Sequence, residues 1–125
     1  IINAPLIDEI SIEIGKAYLK LCDNVGKKDL PVAVRSSATS EDLPWASFAG
    51  LQDTYLWIVS VTEVILKVKS CWASLFSDRA TSYRNDMGFS HDREKISVTV
   101  QKMVNSRSAG VMFTLNPING DRSEV

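Results

Sequence analysis

No stretch of this chain approaches the ~20 consecutive apolar residues that a membrane-crossing helix needs, so the sequence carries no spanning segment. It also lacks a basic excess, since fourteen Lys and Arg stand against fifteen Asp and Glu for a net charge of -1. Nucleic-acid backbones and acidic membrane surfaces call for such an excess, and neither is an expected partner. Any anion bound here is held by a local arrangement. Cysteine is scarce: Cys22 and Cys71 lie far apart, form no C-x-x-C pair and sit among apolar helix positions. They read as reduced core residues of a cytoplasmic protein. His91 is the single histidine, in the loop Gly88-Phe89-Ser90-His91-Asp92, with no ligating partner near it in sequence. That gives no foundation for a metal site or a catalytic dyad. Neither a G-x-x-x-x-G-K-S/T loop nor a G-x-G-x-x-G fingerprint is present. Repeats and low-complexity stretches are missing as well. The opening Ile1-Ile2-Asn3-Ala4-Pro5 has no initiator Met and no charged n-region, so it is no signal peptide. Both ends read as cuts in a longer chain.

What remains is an ordinary globular composition, 45% apolar and 23% charged over 125 residues, enough for one core and too little for two. Ile7, Ile10, Ile14, Ala17 or Tyr18, and Leu21 recur at helical steps and predict a first helix with those residues on its buried face. Gly15 weakens that helix by roughly 1 kcal/mol relative to Ala, and Asn24, Gly26 and Lys27-Lys28-Asp29 end it. Pro31-Val32-Ala33-Val34-Arg35-Ser36 predicts a strand that opens into small polar residues, and Thr54-Tyr55-Leu56-Trp57-Ile58-Val59 predicts a second. Ser60-Val61-Thr62-Glu63 has the spacing of a capping box, in which the Ser and Glu side chains reciprocally satisfy free backbone donors. It starts a helix lined by Val61, Val64, Ile65, Val68, Trp72 and Leu75. Ser77-Asp78 caps a further short helix that Gly88 stops. Residues 94–104 alternate, with Ile96, Val98, Val100 and Lys102 on one face and Ser97, Thr99 and Gln101 on the other, as in a half-buried strand. After a hairpin-like turn at Asn105-Ser106-Arg107-Ser108, Gly110-Val111-Met112-Phe113-Thr114-Leu115 predicts a fourth strand. The order predicts an α+β fold with a mostly antiparallel sheet and packed helices.

Two segments have the makings of a binding site. Arg35 at the end of an apolar strand, followed by Ser36, Ser37 and Thr39, offers a planar fork of donors and several hydroxyls to phosphate oxygens. A surface Arg beside a polar turn has the same sequence. Gly50, in the small-residue loop before the second strand, permits close approach of backbone to a ligand, and a sharp turn with no ligand explains it equally well. Gln101 alternates with apolar neighbours and either faces solvent or reaches a ligand on the sheet. Glu41 and Asp42 suit a divalent cation or a solvated acidic pair, and Trp45 and Phe48 suit a base or a loop anchor.

Taken together the segments resemble a known family. Val32-Ala33-Val34-Arg35-Ser36-Ser37-Ala38-Thr39-Ser40-Glu41-Asp42-Leu43-Pro44, Ala46-Ser47-Phe48-Ala49-Gly50 and Gln52-Asp53-Thr54 are similar to the N-terminal nucleotide-binding domain of phosphoenolpyruvate synthases. Cys71-Trp72-Ala73-Ser74-Leu75-Phe76, Arg79-Ala80, Tyr83-Arg84, Gln101-Lys102-Met103-Val104, Ala109-Gly110-Val111-Met112-Phe113-Thr114 and Asn116-Pro117 continue the likeness. It covers about residues 31–120. Rifampicin phosphotransferases share much of the pattern, and pyruvate phosphate dikinases share it more loosely.

The resemblance implies a piece of one ATP-grasp-type domain over residues 1–125, with a helical lead-in at 1–30 and a motif-bearing core at 31–120. It implies ATP as ligand, with Arg35 on phosphate oxygens, Gly50 bringing loop backbone to the triphosphate, Thr54 lining the same pocket and Gln101 contacting the nucleotide. Arg35 is also the expected catalytic residue. Magnesium is implied too, with its ligands outside this chain, as is the nucleotide-gripping Lys. The implied partners are a swivelling phosphohistidine domain, which His91 does not match, and a pyruvate-binding domain of the same full-length chain. By itself the piece is expected to be inactive. Trp45 stands where the family has a small or polar residue, and Leu51 replaces a common Gln. The alternatives are the same segment of a rifampicin phosphotransferase, and a non-catalytic regulatory or interaction module that keeps the fold.

Overall fold

The computed structural model describes residues 4–38, 42–43, 46–47, 53–90, 94–116 and 118–123. In chain order the elements are α1 (Asp8–Val25), β1 (Val32–Ala38), the two-residue β2 (Asp42–Leu43) and β3 (Ala46–Ser47), β4 (Thr54–Ile58), α2 (Val61–Ser74), α3 (Asp78–Asp86) and β5 (Ile96–Lys102). The main sheet has three strands in the order β4-β1-β5, both pairings antiparallel, and β2 pairs β3 separately. The α+β, antiparallel expectation holds.

β1 is the central strand because Val32, Ala33 and Val34 are all buried, leaving no solvent-facing edge for water to satisfy. Val32 and Val34 face the helices and join Val64, Val68 and Cys71 of α2 and Tyr18 and Cys22 of α1 in the core. From β5, Val98 and Val100 pack against the same cluster while Ser97, Thr99 and Gln101 are exposed, as the alternation requires. Between the pairs Val34↔Tyr55 and Val32↔Ile58, β4 contains one residue more than β1. Trp57, at φ 59°, absorbs this bulge and turns outward. The extra residue resets the alternation, so Tyr55 and Ile58, three apart, both pack on the core.

The first helix forms where periodicity predicts, and Ile14, Tyr18 and Leu21 of its expected face do pack on the core. Ile7, Ile10 and Ala17 are exposed, and the buried face extends to Gly15 and Cys22. Gly15 explains the difference. A Cβ there would stand 3.1 Å from Cγ1 of Val61, so the missing side chain lets α1 approach the start of α2. Gly26, at φ 67°, ends α1 in the left-handed conformation, and the Gly26 and Lys27 amides bond to Asp23 and Cys22 carbonyls.

The capping box is half made. Ser60 Oγ accepts the Glu63 N–H at 3.4 Å, yet the Ser60 N–H is taken by the Tyr18 hydroxyl at 3.2 Å, not by Glu63. Ser77 caps α3 by accepting the Ala80 N–H, and Gly88 at φ 71° follows its end. Gly110-Val111-Met112-Phe113-Thr114-Leu115 is not a strand, and Asn105-Ser106-Arg107-Ser108 makes no hairpin. Val111 and Met112 are 82% and 74% exposed, and no sheet edge among the described residues pairs with the segment. β-propensity alone does not hold a strand whose ladder bonds have no partner. No helix of the described residues is long and apolar enough to cross a membrane.

Candidate functional site

With helices on one side, the sheet's other face is open among the described residues, and that face gathers the residues of interest. Arg35 sits at the exposed half of the central strand, directly opposite Thr54 on β4 and Thr99 on β5. Ala33, two residues earlier and on the same face, is opposite Gln101. Arg35, Thr54 and Gln101 thus line one open depression of about 390 Å³, together with Ala33, Leu56, Lys102, Met103 and Val104. Ala33 is only 3% exposed and forms the floor, where a methyl leaves the space open. Gly50, Glu41, Trp45, Phe48, Thr39 and His91 lie outside the described residues.

The electrostatics of the depression are one-sided. Two cations, Arg35 and Lys102, are among its lining residues, and among the described residues no carboxylate is. The Arg35 guanidinium has no hydrogen-bond or ion-pair partner among the described residues. An uncommitted fork of donors beside a β-branched hydroxyl is suited to an anionic oxygen cluster. Gln101 adds a donor and an acceptor, and Leu56, Met103 and Val104 add apolar surface, a mixture suited to a ligand with one charged and one flat apolar end.

The two described hydroxyls that follow Arg35 do not act together. Ser36 lies on the helix-facing side of β1, and its Oγ donates to the Asp53 carbonyl at 3.3 Å. Ser37 is exposed on the open face, where its carbonyl accepts the Ser97 hydroxyl at 3.3 Å. Asp53 is a junction that sequence reasoning passed over. Its carbonyl also receives the Cys71 thiol at 3.6 Å, and its carboxylate accepts the Tyr55 hydroxyl at 2.8 Å. Residue 53 thereby ties the entry of β4, and with it Thr54, to both β1 and α2. Burial, then the Asp53 carboxylate, pushes the Tyr55 phenol up to about 12, and Lys67 lies 4.8 Å from its ring centre. That Leu56, Met103 and Val104 line the depression was also missed, because it follows only from the strand register and the path of the chain after β5.

A larger cleft of about 520 Å³ opens between α1, α2 and β5, lined by residues such as Leu21, Trp72 and Val98. Its lining includes none of the candidate residues, and its apolar walls offer little to orient a ligand.

The sequence profile described as pyruvate phosphate dikinase, AMP/ATP-binding domain, matches residues 1–125. The chain belongs to this family. Within the pyruvate phosphate dikinase AMP/ATP-binding family, it is 55% identical over 118 residues to a probable phosphoenolpyruvate synthase of Pyrococcus horikoshii, covering 94% of this chain. The phosphoenolpyruvate synthase of Pyrococcus furiosus is 55% identical over 117 residues, again 94% of this chain. A probable phosphoenolpyruvate synthase of Archaeoglobus fulgidus is 58% identical over 107 residues, 86% of this chain. The chain spans about 14% of the length of each of these relatives.

Family membership makes magnesium an expected companion of the nucleotide, and the described residues do not fit it. Among them no three His, Cys, Asp or Glu side chains gather in a way that holds a metal ion. The open face presents a guanidinium, hydroxyls and an amide, groups that suit an anion better than a cation.

Proposed function

We propose that the open face of the sheet is the ATP site of a phosphoenolpyruvate synthase, and that this chain is part of that enzyme's ATP-grasp-type domain. The reading takes residues 1–125 as one piece of that domain, with the lead-in before β1 and the motif-bearing core at 31–120. The observation that carries it is the Arg35 guanidinium, which has no partner among the described residues, in a depression whose described lining has no carboxylate. High identity over most of this chain to proteins named phosphoenolpyruvate synthase supports the choice of enzyme.

In this reading Arg35 binds phosphate oxygens through its planar fork. Thr54 donates its hydroxyl beside it, and Gly50 lets the loop backbone approach the triphosphate. Gln101 bonds the nucleotide from β5, with Leu56, Met103 and Val104 against the base. ATP passes its terminal two phosphates to a histidine on a swivelling domain of the same full-length chain, and AMP leaves. Water then removes one phosphate, and the remaining phosphoryl group goes to pyruvate on a further domain, giving phosphoenolpyruvate. Arg35 contributes by stabilising charge on the transferring group, the main task in phosphoryl transfer. The work is placed in the cytoplasm, in keeping with two buried, unbridged thiols.

Arg35→Ala in the full-length protein tests this. Removing one such donor lowers kcat/KM by on the order of 10²–10³-fold, about 3–4 kcal/mol of transition-state stabilisation. The unfolding midpoint stays where it was, because the side chain is exposed and makes no hydrogen bond or ion pair among the described residues. Undiminished turnover removes Arg35 from the site.

A further inference from the structure

We infer that Thr99 is a third phosphate-binding side chain, completing a row of hydroxyl, guanidinium and hydroxyl across the three strands. The inference rests on the ATP reading of the open face and extends it past the depression's lining. The register places Thr54 and Thr99 on either side of Arg35, each directly opposite it. Directly opposed residues hold their Cβ atoms about 5 Å apart, so both hydroxyls flank the Arg35 side chain on the same face of the sheet.

Their availability matches their position. All three side chains are exposed, and neither Thr hydroxyl has a hydrogen-bond partner among the described residues. Ser97, the next residue on that face of β5, is different: its hydroxyl is already given to the Ser37 carbonyl. The row therefore ends at Thr99. It crosses two inter-strand gaps, roughly 10 Å, a span that suits successive phosphate groups better than a single one. Thr99 is β-branched as well, so its few rotamers keep the hydroxyl in place without entropy lost on binding.

The test uses the full-length protein with ATP and adenosine as probes. Thr99→Val keeps shape and strand preference and removes the hydroxyl. It is expected to weaken ATP binding on the order of tenfold, the effect of losing one hydrogen bond to a charged group. Inhibition by adenosine, which has no phosphate, stays unchanged, and Thr99→Ser restores ATP affinity. Ser97→Ala leaves both probes unaffected. If Thr99→Val keeps ATP affinity within twofold while Arg35→Ala loses it, Thr99 is excluded and the ATP reading stands. Equal weakening of ATP and adenosine makes Thr99 a structural residue and also overturns the inference. If neither variant changes ATP affinity, the face is not the phosphate site and both proposals fall together.

Discussion

The Tyr18 hydroxyl accepts the amide N–H of Ser60 at 3.2 Å, joining the middle of α1 to the residue that caps α2. The same oxygen donates its proton to the Leu30 carbonyl at 3.0 Å, just before β1 begins. One buried phenol thus fixes the junction of two helices and the central strand, and burial raises its pKa, keeping the proton it donates. Ser60 has a φ of 82°, a conformation costly for a residue with a Cβ, and its bonds to Tyr18 and Glu63 hold it there.

Tyr18→Phe preserves the ring and removes both bonds. It leaves a buried carbonyl and a part-buried amide unpaired, for a loss of about 1–3 kcal/mol. A urea unfolding curve with a lower midpoint and unchanged slope is the expected result. An unshifted midpoint means that water replaces the phenol at both groups.

The close approach at Gly15 makes a second prediction. Gly15→Val places a branched side chain where a single Cβ already stands 3.1 Å from Val61. Overpacking of this kind costs about 1–3 kcal/mol, more than the helix gains by losing a glycine. Thermal unfolding is expected to show a lower Tm. A Tm equal to or above that of the parent chain shows that α1 can shift away from α2 at no loss.

How much of this was legible beforehand depended on whether local or distant residues decide the matter. The helices were readable because Ser60, Ser77 and Gly26 mark their ends with local chemistry. The face of α1 was readable only in part, at Ile14, Tyr18 and Leu21, since burial of Gly15 depends on where Val61 leaves room, forty-six positions along the chain. Likewise Val111-Met112-Phe113 has strand-like residues, but strand formation depends on a partner edge. For the site, alternation correctly placed Gln101 on the open face. That Arg35 stands between Thr54 and Thr99 follows only from register, which one bulge at Trp57 alters.

Stability should fall in alkali for a specific reason. Burial, with the Asp53 carboxylate adding to it, pushes the Cys71 thiol up from 9.0 to about 11. Between those values the unfolded chain has lost a proton that the folded chain keeps. The folded state is then the one binding more protons, and stability declines as pH rises. The contribution is whole below pH 9.0 and lost above about 11. Urea midpoints measured across that window are expected to fall, and to fall less steeply for Cys71→Ala. Tyr55, raised to about 12 from 10.0, extends the decline to higher pH. Parallel slopes for parent and variant remove Cys71 as the source.

Ala33 provides the cleanest separation of fold from ligand. Its side chain forms the floor of the depression, on the face turned away from the helices, so enlarging it fills the site before it disturbs the core. Ala33→Leu adds three carbons where the proposed nucleotide lies over the sheet. A single surplus methylene in a fitted pocket is worth about 1–3 kcal/mol, or roughly 10–200-fold. The KM for ATP in the full-length protein is therefore expected to rise at least tenfold, with little change in unfolding midpoint. Ala33→Ser, which adds one small atom, should stay close to the parent. If Ala33→Leu binds ATP normally, the nucleotide does not lie in this depression, whatever Arg35 does.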